Sequence, residues 1–128
     1  MQINDLFYLL DKTILIMDVH EQMGDASKRQ LALSGVSIIG PVTSANDLLL
    51  TVSLHRPDAV IIEMRADDRD IFEIVQRLEN LNIPFVFAAI SGNKRDFVPS
   101  GFNLNGDVDE LRKITRALFL KPVSDEIH

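Results

Sequence analysis

Two carboxylates in this chain directly end runs of apolar residues, and that placement is what could let them do chemistry. Asp18 follows Thr13-Ile14-Leu15-Ile16-Met17, and Glu63 closes Pro57-Asp58-Ala59-Val60-Ile61-Ile62-Glu63. Four apolar residues in a row, bounded by proline or polar residues, predict a short strand buried on both faces, as in the middle of a parallel sheet. In open α/β sheets, ligands gather at the carboxyl ends of the strands. Both acids therefore fall where a functional acid is expected. A carboxylate at a buried strand end must be paired or protonated. Lys121, at the end of Ala117-Leu118-Phe119-Leu120-Lys121, is its natural partner.

The elements that must position these groups are legible in chain order. Ile3, Leu6, Phe7, Leu9 and Leu10, with Asn4 as N-cap, predict a short apolar N-terminal helix over residues 1–11. It either docks on its own domain or makes a dimer or partner contact through Leu6, Phe7 and Leu10. A helix over about 20–34 stops at Gly35, with Met23, Ala26, Leu31 and Leu33 as a thin apolar face. A half-buried strand over 36–39 and a helix capped by Ser44 and running to Leu54 follow, the latter with Leu48, Leu49, Val52 and Leu54 as its buried stripe. Beyond Glu63, a polar loop leads to a helix over about 70–81. Ile83 to Ala89 form a fourth strand, 90–106 is irregular, Asp107 or Asp109 caps a helix through Thr115, and 117–121 form the fifth strand. Ser124-Asp125-Glu126 begins a further helix that the sequence does not complete. Strands alternating with helices imply a parallel sheet built by right-handed crossovers.

At 128 residues the chain is expected to be one domain, an N-terminal extension over 1–11 and a body over 12–128. Its 46% hydrophobic and 25% charged content is that of a globular protein. A net charge of −6, with no basic stripe, argues against nucleic-acid binding by this domain. No run approaches a membrane span and no signal peptide is visible. The absence of cysteine fits a cytoplasmic location.

Taken together, Ile14-Leu15-Ile16-Met17-Asp18, Gly40-Pro41, Arg56-Pro57-Asp58, Ile83-Pro84-Phe85-Val86-Phe87 and Leu120-Lys121-Pro122 resemble the receiver domain of two-component response regulators. The resemblance covers about residues 12–125 and is nearest to proteobacterial single-domain receivers. It implies a flavodoxin-like, doubly wound sheet of strand order 2-1-3-4-5. Here that fold would carry an irregular fourth-helix region, a truncated fifth helix and the extra N-terminal helix.

The resemblance also implies a phosphorelay pocket: two acids after the first strand, an aspartate ending the third, a hydroxyl ending the fourth and a lysine ending the fifth. The acids hold Mg²⁺, the aspartate attacks phosphorus, and the hydroxyl and lysine bind the phosphoryl group. This chain keeps Asp18 and Lys121, but has Val19 for the second acid, Glu63 at the acceptor position and Ala89 for the hydroxyl. Leu118 stands where an aromatic residue usually reports the switch. Val19 removes an oxygen ligand, so Mg²⁺ binding is not expected, with Asp18 and Glu63 left as weak metal candidates. Glu63 is one methylene longer than aspartate and displaces its oxygens by roughly 1 Å, an error able to cost about 10²-fold in rate. Ala89 cannot hydrogen-bond a phosphoryl oxygen.

The expectation is a pseudo-receiver with no enzymatic activity and no cofactor, regulating through a protein partner: a histidine kinase, an effector or its own copy. Glu63 would be locked to Lys121, or would survive as a remnant held by a nearby cation. Arg65 is the second candidate, folding into the vacant metal site to pair with Asp18. Two alternatives stay open, a phosphoacceptor using the Glu63 pocket and a structural dimerisation domain. In the structural reading, the N-terminal residues 4–10 would cover the fifth strand, either within the chain or from a second chain, with Leu118 part of that face. Asp67, Asp68 and Asp70 lack the glycine and distal glutamate of a Ca²⁺ loop and read as a solvated turn. His20, His55 and His128 show no ligand spacing, and Ser91-Gly92-Asn93-Lys94 is a weak anion cradle.

Overall fold

The computed structural model describes residues 5–120. A short 3-10 helix, Asp5–Leu9, leads into β1 (Thr13–Met17). Then come α1 (Asp25–Leu33), β2 (Ser37–Val42), α2 (Ala45–His55), β3 (Ala59–Glu63), α3 (Asp68–Asn80), β4 (Phe85–Ile90), β5 (Phe102–Leu104) and α4 (Val108–Phe119). The five strands form one parallel sheet in the order β2-β1-β3-β4-β5. This is the doubly wound arrangement expected from the alternation of elements.

Apolar side chains separate onto two faces as the strand period requires. Ile14, Ile16, Ala59, Ile61, Val86, Ala88 and Ile90 pack with Leu31 of α1 and Leu111, Ile114 and Leu118 of α4. Leu15, Met17, Val60 and Ile62 pack with Leu48 and Val52 of α2 and Ile74 and Leu78 of α3. β3 is buried at every position, which is why its sequence carries no polar alternation until Glu63. β2 lies at the edge of the sheet, where Pro41 costs no ladder bond from a second neighbour. Gly40 there has φ +94°, and a Cβ on it would meet the Val42 nitrogen at 2.6 Å and the Ile16 oxygen at 2.9 Å. Only glycine fits that bulge.

Several boundaries differ from the sequence expectation. α1 begins at Asp25 rather than near His20, because Asp18 holds the preceding turn instead (below). Ala26 and Leu33 lie outside its buried face, which consists of Ser27 and Leu31. Leu54 is likewise exposed on α2. Ser44 caps α2 as expected, accepting from the Asp47 N–H at 3.1 Å.

The largest correction concerns the C-terminal third. Residues 117–119 are the last turn of α4, not a strand, and the fifth strand is Phe102–Leu104. Leu111, Ile114 and Leu118 recur at helical spacing from the Asp107 cap onward, so the apolar run at 117–120 continues a helix. The helix that follows the fifth strand is therefore present over twelve residues. What is missing is a helix between β4 and β5, whose place is taken by the irregular segment 91–101. The further helix expected at Ser124 lies outside the described residues.

The N-terminal 3-10 helix packs on α4, the helix that contains the 117–119 run expected to be a strand. Leu9 is fully buried in the α1/α4 core, and Asp5 accepts a 2.6 Å bond from Arg116 Nε. Leu118 is buried in that same core and is unavailable to a partner. Removing residues 1–10 deletes Leu6 and Leu9 from this packing. It is expected to lower the unfolding free energy by about 2–4 kcal/mol, the range for losing a large buried aliphatic side chain. Urea denaturation of the truncated chain would measure it.

Candidate functional site

The carboxyl ends of β1, β3 and β4 are neighbours in the sheet, so Asp18, Glu63 and the Ala89-Ile90 backbone come to one edge. Both acids are buried. Every oxygen of the two carboxylates accepts at least one hydrogen bond from its own surroundings.

Asp18 accepts the Gln22 N–H on Oδ1 at 3.0 Å and the Met23 N–H on Oδ2 at 2.8 Å. The carboxylate thereby closes the loop into α1, a role the sequence reading missed. Glu63 accepts on Oε1 from Arg65 Nε at 2.7 Å and from the Arg65 backbone N–H at 3.2 Å. Its Oε2 accepts the Ile90 N–H at 3.1 Å. Arg65 Nη2 donates to the Ile90 carbonyl at 3.4 Å, so one side chain spans from the acid of β3 to the last residue of β4. Glu63 raises the Arg65 pKa above its ordinary value through the hydrogen bond first, with burial opposing and the charges of Glu63 and Asp18 adding. The guanidinium is thus charged at every physiological pH.

Arg65 is the cation beside Glu63, and it pairs with Glu63 rather than with Asp18. Lys121 lies outside the described residues. The fifth strand closes at Leu104 and is followed by Asn105. Val19 is half-buried against the α2/α3 core and adds no oxygen. Ala89 stands one residue before the end of β4, opposite Asn103. These positions do not fit a Mg²⁺ site: the oxygens of Asp18 and Glu63 are already engaged and Val19 has none. Among the described residues, no group of three or more His, Cys, Asp or Glu side chains is placed to hold a metal.

Three polar residues that sequence reasoning passed over organise the segment in place of the missing helix. Asn103 accepts the Val98 N–H at 2.6 Å and donates to the Val98 carbonyl at 3.0 Å and to Glu110 Oε1 at 2.8 Å. Asn105 donates to the carbonyls of Lys94 and Asp96 at 3.4 and 3.5 Å. Glu110 is closed on its other oxygen by Lys113 at 2.7 Å. Buried asparagines flanking a three-residue strand are a signal only once that strand is recognised. Ser91 Oγ is spent on the Asn93 N–H and on Asp96, so Ser91-Gly92-Asn93-Lys94 is a self-contained turn. Gly92 packs against Gly24, where a Cβ on Gly24 would stand 2.7 Å from the Gly92 Cα. Asp67 caps α3 through the Arg69 N–H at 2.9 Å, and Asp68 and Asp70 lie in the first turn of that helix.

No family model and no curated protein matches the chain. Among solved structures, the crystal structure of the response regulator PhyR from Brucella abortus matches it with a TM-score of 0.65 at 15% identity. The match covers 96% of this chain. The chain has a receiver-like fold. It spans 54% of the PhyR chain, about half its length. The receiver-like frame places Glu63 at the carboxyl end of its central strand. No helix among the described residues is long and apolar enough to cross a membrane.

Proposed function

We propose that the chain is a pseudo-receiver, a two-component-type signalling module that acts by contact with a protein partner in the cytoplasm and accepts no phosphoryl group. One observation carries this reading: both oxygens of a fully buried Glu63 are committed, one to Arg65 and one to the Ile90 amide. A nucleophilic carboxylate needs a free oxygen facing its electrophile and a cation to neutralise the incoming charge. Here Arg65 neutralises the acid itself, and no Mg²⁺ is needed to do so. The Glu63–Arg65–Ile90 linkage ties β3 to β4 constantly, without a signal.

Titration with Mg²⁺ followed by amide chemical shifts tests the metal half of this reading. The expected result is no saturable shift at Asp18, Val19 or Glu63 at millimolar Mg²⁺. Saturable shifts confined to those amides would overturn it.

The partner face we assign is the surface around Phe7 and Leu10, which are exposed on and after the 3-10 helix. With Leu6, Leu33 and Gly35 they line a groove of about 360 Å³ against α1. Phe7→Asp is expected to abolish partner capture or self-association while leaving the unfolding free energy within about 0.5 kcal/mol, as for an exposed position. Retained association in that variant would remove the face from consideration.

A further inference from the structure

A second cleft lies beside the Glu63 linkage, at the carboxyl edge of β3 and β4. It is about 430 Å³ and is lined by Gln22, Met64, Arg65 and Ala89 to Ser91 on one side and by Arg95 to Val98 on the other. That volume is within the range of small-molecule sites. We propose that this cleft binds a small organic anion, with a phosphate or carboxylate group between Arg65 and Arg95 and a flat apolar portion against Phe97 and Met64.

The donors are present and partly uncommitted. A guanidinium carries five N–H groups. Arg65 spends one on Glu63 and one on the Ile90 carbonyl, which leaves an outer edge facing the cleft. The Arg95 guanidinium has no hydrogen-bond partner within residues 5–120, although its backbone N–H is held by Asn93 at 3.0 Å. Asp96 also lines the cleft, and its carboxylate is drawn to Ser91 Oγ at 3.1 Å. Of the two carboxylates at the cleft, Glu63 is paired with Arg65 and Asp96 accepts from Ser91. Arg95 is therefore the cation there with no acid partner among the described residues, and Arg65 adds its unspent N–H donors. Phe97 presents 56% of its surface to solvent beside them, an apolar wall left uncovered. Guanidinium groups suit phosphate and carboxylate alike because their parallel N–H donors match both.

The wall is also held in place before any ligand arrives. Asn103 fixes both backbone groups of Val98, and Asn105 fixes the carbonyls of Lys94 and Asp96. Buried amides spent on loop backbone give the cleft a fixed shape, which reduces the ordering cost of binding. This site does not depend on the signalling reading. It uses Arg65 as a binding group whether or not Glu63 can be phosphorylated.

The test is titration of the whole chain, without Mg²⁺, by phenyl phosphate, benzoate and inorganic phosphate, followed by amide and arginine side-chain chemical shifts. Phenyl phosphate or benzoate is expected to give saturable shifts at Arg65, Ile90, Arg95 and Phe97. Inorganic phosphate should bind at least about fivefold more weakly, since it gains no apolar contact. The tighter of the two aromatic probes identifies the anion class. Arg95→Ala and Phe97→Ala alter exposed side chains outside the core, and each is expected to weaken that probe about tenfold. Exposed Leu54→Ala on α2 should change nothing. Absence of saturation by either aromatic probe, or affinities unmoved by both cleft substitutions, would overturn the site; inorganic phosphate binding as tightly as the aromatic probes would refute its apolar half.

Discussion

Arg65→Met is expected to lower the unfolding free energy by about 2–3 kcal/mol, measured by urea denaturation. Removing one member of a buried ion pair usually costs about 3–5 kcal/mol, because the remaining charge is left uncompensated. The Arg65 side chain is 54% exposed, so solvent screens part of that interaction and the lower figure applies. Glu63 has no such relief, being fully buried and left with the Ile90 and residue-65 backbone amides as donors. The companion variant separates charge from packing. Glu63→Leu combined with Arg65→Met removes both charges and should recover most of the loss, since apolar replacements of buried ion pairs are often neutral or better. A double variant no more stable than Arg65→Met would show that the pair is not what Glu63 depends on.

Asn103→Leu should be equally damaging, about 2–4 kcal/mol, by a different route. It keeps the branching and heavy-atom count but leaves the Val98 N–H, the Val98 carbonyl and one Glu110 oxygen without their present partner. Buried groups left unsatisfied cost about 1–3 kcal/mol each, and the loop can turn some of them toward water. Asn103→Asp is the informative comparison. It can still accept from Val98, but it loses the donor and sets two carboxylates together at Glu110. Hydrogen exchange should show lost protection at Val98 and Gly101 in both variants, with β1 and β3 unchanged. Uniform loss across the sheet would mean that Asn103 supports the core rather than the loop.

β1, β3 and β4 were readable because each is an unbroken apolar run with a clear boundary, the pattern a strand covered on both faces imposes. The acids ending two of them followed directly, as did the Ser44 cap. β5 was not readable. Three residues with asparagine at the centre carry no period, and Asn103 and Asn105 find their partners in a loop that no local pattern predicts. The apolar run 117–120 then attracted the strand assignment that β5 should have had. Reading the helix from its Asp107 cap through Leu111, Ile114 and Leu118 would have prevented that. Arg65 was recognisable as a cation near the strand ends. Its choice of Glu63 over Asp18 was not, because Asp18 is already satisfied by two amides of the following loop, and only the folded backbone shows it.

The proposal rests on Glu63 being neutralised in place and closed to phosphorus. The direct measurement is intact-mass analysis of the chain after incubation with Mg²⁺ and a small phosphodonor such as acetyl phosphate, with peptide mapping of any adduct. The chain is expected to stay at its unmodified mass, and Glu63→Asp to stay unmodified as well, since Val19 and Ala89 still supply neither a metal ligand nor a hydroxyl. A phosphoryl adduct mapped to Glu63 in the unaltered chain would contradict the account.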